Sequence, residues 1–131
     1  MSITILVPGI PAPQGSKKHI GGGRMVESSK KLPAWRRAVK IAAATTHQGA
    51  EPLDQPLAVD IIFYLPKPKR PRFPLPATTP DLDKLCRSTL DGLEQSGMIR
   101  NDSRVVTLRA AKTFHQDGFT GAHITIQGEN Q

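Results

Sequence analysis

The chain has 131 residues, of which 37% are hydrophobic and 5% aromatic, so it has the length of one domain with a modest, mainly aliphatic core. Eighteen Lys and Arg against eleven Asp and Glu give a formal net charge of +7 at pH 7, which favours a polyanionic partner such as nucleic acid. The single cysteine excludes an internal disulfide, and no segment approaches the roughly 20 apolar residues of a membrane span.

The first third of the chain predicts a strand, a loop and a helix. Ile3, Ile5 and Val7 alternate with their neighbours until Pro8-Gly9, which predicts a first strand. Its start has neither the basic segment nor the long apolar run of a signal peptide, so we expect a cytoplasmic protein. Residues 8–31 predict a long basic loop. A helix is expected from Pro33, because apolar residues then recur at helical spacing (Trp35, Ala38, Val39, Ala42 and Ala43), with Arg36, Arg37 and Lys40 turned away from them.

A second strand is predicted where Val59, Ile61, Phe63 and Leu65 alternate. The next segment, 66–80, is rich in proline and carries four positive charges, which excludes a helix or an interior strand. It is either a linker between two domains or a basic loop within one. We prefer the loop, and a single domain over 1–131, because neither half alone has enough core.

The remaining elements complete an α+β fold. A second helix begins at Asp81 and ends near Gly97, and its apolar stripe consists of Leu82, Leu85, Cys86, Leu90 and Leu93. A third strand is predicted from the alternation of Val106, Leu108, Ala110 and Lys112, and a fourth from that of Ala122, Ile124 and Ile126. The order β-α-β-α-β-β predicts a small mixed β-sheet with two helices.

Carboxylates are grouped along the second helix, in contrast to the basic character of the chain. Asp83, Arg87 and Asp91 step by four residues and therefore share one helical face. Asp102 follows shortly after the helix. Structural roles would also explain these residues: Asp81 as a helix N-cap, the stepped face as exposed ion pairs, and Asp102 as part of an ordinary turn.

The same residues suit a metal-dependent nuclease. Phosphodiester hydrolysis requires an activated water and relief of charge on the leaving oxygen, and Mg²⁺ held by one to three carboxylates supplies both. Arg87 or Lys84 beside those carboxylates is placed to neutralise charge in the transition state.

A longer sequence pattern resembles the RusA family of Holliday junction resolvases, which are often encoded by phages and prophages. The resemblance lies in Pro80-Asp81-Leu82-Asp83-Lys84-Leu85-Cys86-Arg87-Ser88-Thr89-Leu90-Asp91-Gly92-Leu93, in the segment from Gly97 to Val106, and in the opening Val7-Pro8-Gly9-Ile10-Pro11 with Gln14-Gly15-Ser16-Lys17. It implies a homodimeric, Mg²⁺-dependent endonuclease of the bacterial host cytoplasm, with Mn²⁺ as a possible substitute, that makes paired symmetric nicks in four-way DNA junctions during recombination and repair.

The resemblance also implies roles for single residues. Asp81, Asp83 and Asp102 fall on the family's metal-binding acidic positions, and Arg87 falls on its catalytic lysine. Asp91 falls on a helix aspartate whose role is less certain, so we treat it, Lys84 and Lys112 as secondary candidates. The chain departs from the family at Lys84, Arg87 and Asn101, where Asn, Lys and Asp are usual. Arg87 can stabilise phosphate charge but is a poor proton donor.

The two basic loops are the predicted DNA-binding segments. Their contacts with phosphates would make binding sensitive to salt and largely independent of sequence. Phe73 would wedge or stack at the opened centre of a junction, or else pack on the edge of the domain. The predicted DNA-binding residues are Lys17, Lys18, Arg24, Lys67, Lys69, Arg70, Arg72 and Phe73. Two alternatives remain open: a non-catalytic protein that binds branched DNA, and a metal-dependent nuclease for flaps or other branched DNA.

Overall fold

A computed structural model describes residues 2–14, 17–20, 24–27 and 30–129, with the backbone alone for 17–20 and 24–27. Its strands and helices, in chain order, are β1 (Ser2–Pro8), β2 (Lys17–Ile20), β3 (Arg24–Glu27), α1 (Leu32–His47), β4 (Leu57–Tyr64), α2 (Leu82–Gln95), β5 (Val105–Thr113) and β6 (Gly121–Gly128). A short 3₁₀ helix, Asp102–Arg104, precedes β5.

Four strands form one mixed sheet in the order β1-β6-β4-β5. The β1/β6 and β4/β6 pairs are antiparallel, whereas β4 and β5 are parallel. Because parallel neighbours need a long crossover, the chain between β4 and β5 carries the proline-rich loop and α2. The predicted α+β fold, with two helices in the order β-α-β-α-β-β, is confirmed.

The expectation of a simple loop over 8–31 is wrong in one respect. Strands β2 and β3 pair antiparallel as a separate hairpin, with Lys17 opposite Glu27 and Ile20 opposite Arg24. The sequence pattern did not reveal them because these short strands lack the apolar alternation of a strand that packs on a core. The side chains of Lys17, Lys18 and Arg24 lie outside the described residues.

The core lies between one face of the sheet and the two helices. Alternate β4 residues, Val59, Ile61 and Phe63, are buried, as the period of two in a strand requires. Helix α1 begins with Pro33 in its first turn, as predicted, and buries Trp35. The opposite sheet face exposes Leu6 and Ile62, so a single helical layer covers this sheet. Neither α1 nor α2, the helices of the described residues, could cross a membrane.

Helices α1 and α2 pack closely against each other. Gly92 of α2 faces α1, where a methyl group in place of its hydrogen would lie 2.8 Å from Cγ1 of Val39. One turn earlier, buried Trp35 donates from Nε1 to Oγ1 of Thr89 at 3.2 Å. Thr89 and Gly92, which interrupt the apolar stripe of α2, thus fix the position of this helix against α1.

Strand β5 forms an edge of the sheet, and its helix-side face is only partly covered. Leu108 pairs with buried Val59, yet Leu108 is 42% exposed and Val106 is 60% exposed. The alternation that predicted this strand is present, but its apolar face is not fully buried.

Candidate functional site

Residues 9–14, which we call the N-terminal segment, and the proline-rich loop, residues 66–80, both contact the first turns of α2 or the residues just before it. The buried hydroxyl of Ser88 donates to the backbone oxygen of Ala12 at 2.6 Å, and the backbone N–H of Gln14 donates to the oxygen of Lys84 at 2.9 Å. On the other side, the ammonium of Lys112 donates to the carbonyls that precede α2, those of Thr78 at 2.6 Å and Pro80 at 2.7 Å. Lys112, a secondary candidate for a DNA or active-site contact, therefore anchors the approach to α2.

Asp81 occupies the N-cap position of α2, but its carboxylate makes no capping hydrogen bond. The interpretation of this side chain as a conventional cap is therefore wrong. The carboxylate is exposed, and its Oδ2 lies 3.9 Å from the Nζ of Lys84. An acid that stays in solvent at a helix N-terminus is available to a ligand.

The stepped face of α2 runs from solvent towards α1. Asp83 and Arg87 are exposed, whereas Asp91 is half-buried, with its Oδ2 3.6 Å from the Nη2 of Arg36. Arg36 also donates to the side-chain oxygen of Gln14. Arg36 therefore bridges the N-terminal segment and α2, a contact that its predicted position away from the apolar residues of α1 did not indicate.

A second group of acids surrounds the end of α2. Burial raises the pKa of the Asp91 carboxyl, while the Arg36 charge opposes this shift and the charges of Asp102 and Glu94 add to it. The backbone N–H of Asp102 donates to Oε1 of Glu94 at 2.8 Å. The side chain of Asn101 accepts from the N–H of Ser103 at 2.8 Å and thereby fixes the turn.

The predicted metal ligands therefore fall at two ends of one helix. Asp81 and Asp83 lie at its start, and Asp102 lies beside its last turn. Asp91 lies eight residues beyond Asp83, which corresponds to about 12 Å of helix axis at a rise of about 1.5 Å per residue. Within the described ranges, no three His, Cys, Asp or Glu side chains are grouped to hold a metal ion. The assignment of these acids as ligands stays a prediction.

Each end nevertheless offers donors that suit Mg²⁺. This ion binds hard oxygen ligands, keeps several waters, and commonly uses only one or two carboxylates together with substrate phosphates. Asp81, Asp83 and Asp102 are all exposed carboxylates, so water and phosphate can approach them.

The basic residues of the proline-rich loop are exposed and lie near the start of α2. Lys67, Lys69, Arg70 and Arg72 all face solvent, and the Arg72 guanidinium lies 5.2 Å from the centre of the Phe73 ring. The loop borders a cavity that also reaches Asp81 and Lys84. Sequence reasoning missed other residues of the site: Lys30, Lys31 and Leu75 at this cavity, and Arg36 and Glu94 along α2. Their separation along the chain gave no signal.

Comparison with known families agrees with this arrangement. The model of the family described as "Endodeoxyribonuclease RusA" matches residues 8–127, which include both helices, strands β2 to β5, all of β6 but its last residue, and only the last residue of β1. A search of curated proteins finds no match. Because the matched segment includes nearly all of the chain, with the acids of α2 and the turn at Asp102 inside it, the protein belongs to the RusA family of endodeoxyribonucleases.

Proposed function

We propose that this endonuclease resolves four-way DNA junctions by paired symmetric nicks, that it depends on Mg²⁺, and that it acts in recombination and repair. The observation that carries the proposal is the start of α2. There the exposed carboxylates of Asp81 and Asp83 lie beside a cationic loop, inside a chain of the RusA family. Cations would attract the phosphates, and the carboxylates would hold the divalent ion between themselves and the DNA.

Bound Mg²⁺ would neutralise charge on the scissile phosphate and activate a water for attack. The contribution of Arg87 is electrostatic. It lies one turn beyond Asp83 on the same helical face and is exposed, so it can approach a phosphate held there. A guanidinium is a poor proton donor, so Arg87 would stabilise developing charge without protonating the leaving oxygen.

The central test compares a four-way junction, a flap and a linear duplex in one Mg²⁺-dependent cleavage assay. We expect paired nicks in the junction, lost in Asp83→Asn. A matched control is Asp60→Asn, because Asp60 is a partly exposed carboxylate of β4 on the sheet face away from α2. Junctions that stay intact at every Mg²⁺ and Mn²⁺ concentration would refute the proposal. A preference for flaps would support the nuclease for other branched DNA.

A non-catalytic role has one observation in its favour. Asp81 lies beside Lys84 and Asp91 beside Arg36, so two of the acids already have cationic neighbours. If the acids serve only as ion pairs, wild-type protein cuts nothing, and Asp83→Asn binds junctions as tightly or more tightly. Cleavage that requires Asp83 excludes this alternative.

We also propose that the protein acts as a homodimer, since a four-way junction with two-fold symmetry needs two nicks. The exposed apolar face of edge strand β5 supports this, because an unpaired edge with apolar side chains readily joins another strand. Leu108→Arg should then give a monomer in light scattering. Leu6→Arg, on the opposite edge strand and also exposed, should not. Equal effects of the two substitutions would exclude β5 as the contact.

A dimer would also allow Asp83 of one protomer to lie near Asp102 of the other. Asp102 lies beside Glu94, which is eleven residues beyond Asp83 and therefore about 16 Å further along the helix axis. Two protomers would instead supply one acid group each to a shared ion. Co-purified heterodimers of Asp83→Asn and Asp102→Asn would then retain one intact site and nick junctions, although each homodimer is inactive. Inactive heterodimers would place each site within one protomer.

A further inference from the structure

The proline-rich loop and the N-terminal segment border a groove to which the proposed mechanism assigns no particular part of the substrate. We call it the proline-loop groove; it has a volume of about 760 Å³. One wall is formed by Ile10–Pro13 and by Lys30 and Lys31, which precede α1, and the other by residues 65–80. One end reaches Asp81, the first predicted metal ligand. Its size is that of a site for a small organic ligand or a nucleotide.

The apolar part of this groove is exposed to solvent. Leu75 is 59% exposed and Phe73 is 40% exposed, and both line the groove together with exposed Ile10. Large apolar side chains scattered singly on a surface need no explanation, but three that converge on one concave site indicate a ligand with an apolar surface.

The charge of the groove selects among such ligands. Lys30 and Lys31 lie on the α1 side, and Arg70 and Arg72 on the loop side, while Asp81 is the single carboxylate among the described residues that line it. A neutral apolar ligand would leave these cations without a partner, whereas a ligand that combines a flat apolar ring with phosphate would satisfy both parts of the groove. The guanidinium of Arg72 already lies over the Phe73 ring, an arrangement that favours stacking of a further planar group.

We propose that the proline-loop groove takes one unpaired nucleotide of the DNA substrate, with its base against Phe73 and Leu75 and its phosphates towards the lysines and arginines. The inference rests on the proposed function for the identity of the substrate. A paired base has both faces covered in the duplex, so only an unpaired base can lay a free face on an aromatic side chain. Because the groove ends at Asp81, it would hold the strand close to the predicted metal site.

The test separates the base from the phosphates and needs no cleavage. Two duplexes are compared in EDTA by fluorescence anisotropy: one carries a single unpaired thymidine, and the other an abasic residue at the same position, so that their charges are equal. Wild-type protein should bind the thymidine-containing duplex about tenfold more tightly, a factor within the usual range for stacking of one base. Equal affinity for both duplexes overturns the proposal.

Two variants assign the preference to the groove. Phe73→Ala and Leu75→Ala should each reduce this preference, measured as the ratio of the affinities for the two duplexes, severalfold. Both side chains are exposed, so neither change threatens the fold. Ile41→Ala is the matched control, because Ile41 is also 59% exposed but does not line the groove. An equal loss in Ile41→Ala would refute the assignment. Junction cleavage without a base preference would support the proposed function and contradict the nucleotide site in the groove. A base preference without cleavage would do the reverse.

Discussion

The contact between α1 and α2 at Gly92 predicts an unusual response to a glycine-to-alanine change. In a helix interior this change is normally stabilising by about 1 kcal/mol, because alanine has the higher helix propensity. At Gly92 the added methyl carbon would lie 2.8 Å from Cγ1 and 2.9 Å from Cβ of Val39. Rotation of the Val39 side chain cannot move its Cβ, so the helices must separate.

The size of this effect follows from the contact distances. Carbon atoms pack best at about 3.5–4.0 Å, so α1 and α2 must move apart by roughly 0.6–1 Å along this contact. Val39 is fully buried, and overpacking of such a site costs about 1–3 kcal/mol. After the propensity gain is subtracted, Gly92→Ala should lower the free energy of unfolding by up to about 2 kcal/mol. The separation should also loosen the ion pair between Arg36 and Asp91, which joins the same two helices.

Equilibrium unfolding in urea measures this change. The transition midpoint of Gly92→Ala should fall while its slope stays that of the wild type, because the surface exposed on unfolding hardly changes. Thr45→Ala is the control: Thr45 is exposed on α1, so a gain in helix propensity there meets no packing, and the midpoint should rise slightly. A rise of the midpoint in Gly92→Ala as well would refute the close-packing argument.

Three further predictions follow from buried or anchoring groups. Ser88→Ala removes a buried donor to a backbone carbonyl of the N-terminal segment and should lower the free energy of unfolding by about 1–3 kcal/mol in the same titration; unchanged stability would contradict this role. Burial raises the pKa of the Cys86 thiol, so its alkylation at pH 8–9 should be slower in the native protein than in urea; equal alkylation rates would show that the thiol is accessible. Because the thiol loses its proton less readily in the native state, the free energy of unfolding should fall as pH rises through the native pKa. Lys112→Met removes the ammonium that donates to two carbonyls before α2, so trypsin should cut the proline-rich loop faster than in the wild type. Arg109→Met is the control, because it changes an exposed cation of the same strand. Equal cleavage rates in all three proteins would exclude the anchoring role.

The fold was largely predictable because its signals are local. Alternation of apolar residues marks each strand of the main sheet, and the helical spacing of apolar residues marks α1 and α2. The strand order β1-β6-β4-β5 was not predictable, since alternation says nothing about which strands are neighbours. For the same reason the pattern did not show that Val106 and Leu108 lie on a partly uncovered edge.

The site was predictable along α2 and less so around it. A step of four residues placed Asp83, Arg87 and Asp91 on one face without any tertiary information. The position of Asp102 depends on how the chain turns after the helix, and the turn places it beside Glu94 and away from Asp83. The partnership of Arg36 with Asp91 depends on how closely the two helices approach, which the sequence does not encode locally.

The structure gives physical meaning to two departures from the usual family pattern. Asn101 accepts a hydrogen bond from Ser103 N–H, a role that an aspartate at this position would also perform, so the substitution keeps the turn and removes one negative charge near Asp91 and Asp102. Lys84 lies near Asp81 and its backbone carbonyl binds the N-terminal segment, so it adds positive charge while its backbone keeps a structural contact. Both substitutions therefore change the charge around the acids and keep the backbone contacts beside them, so we expect them to shift the proposed metal affinity without abolishing it.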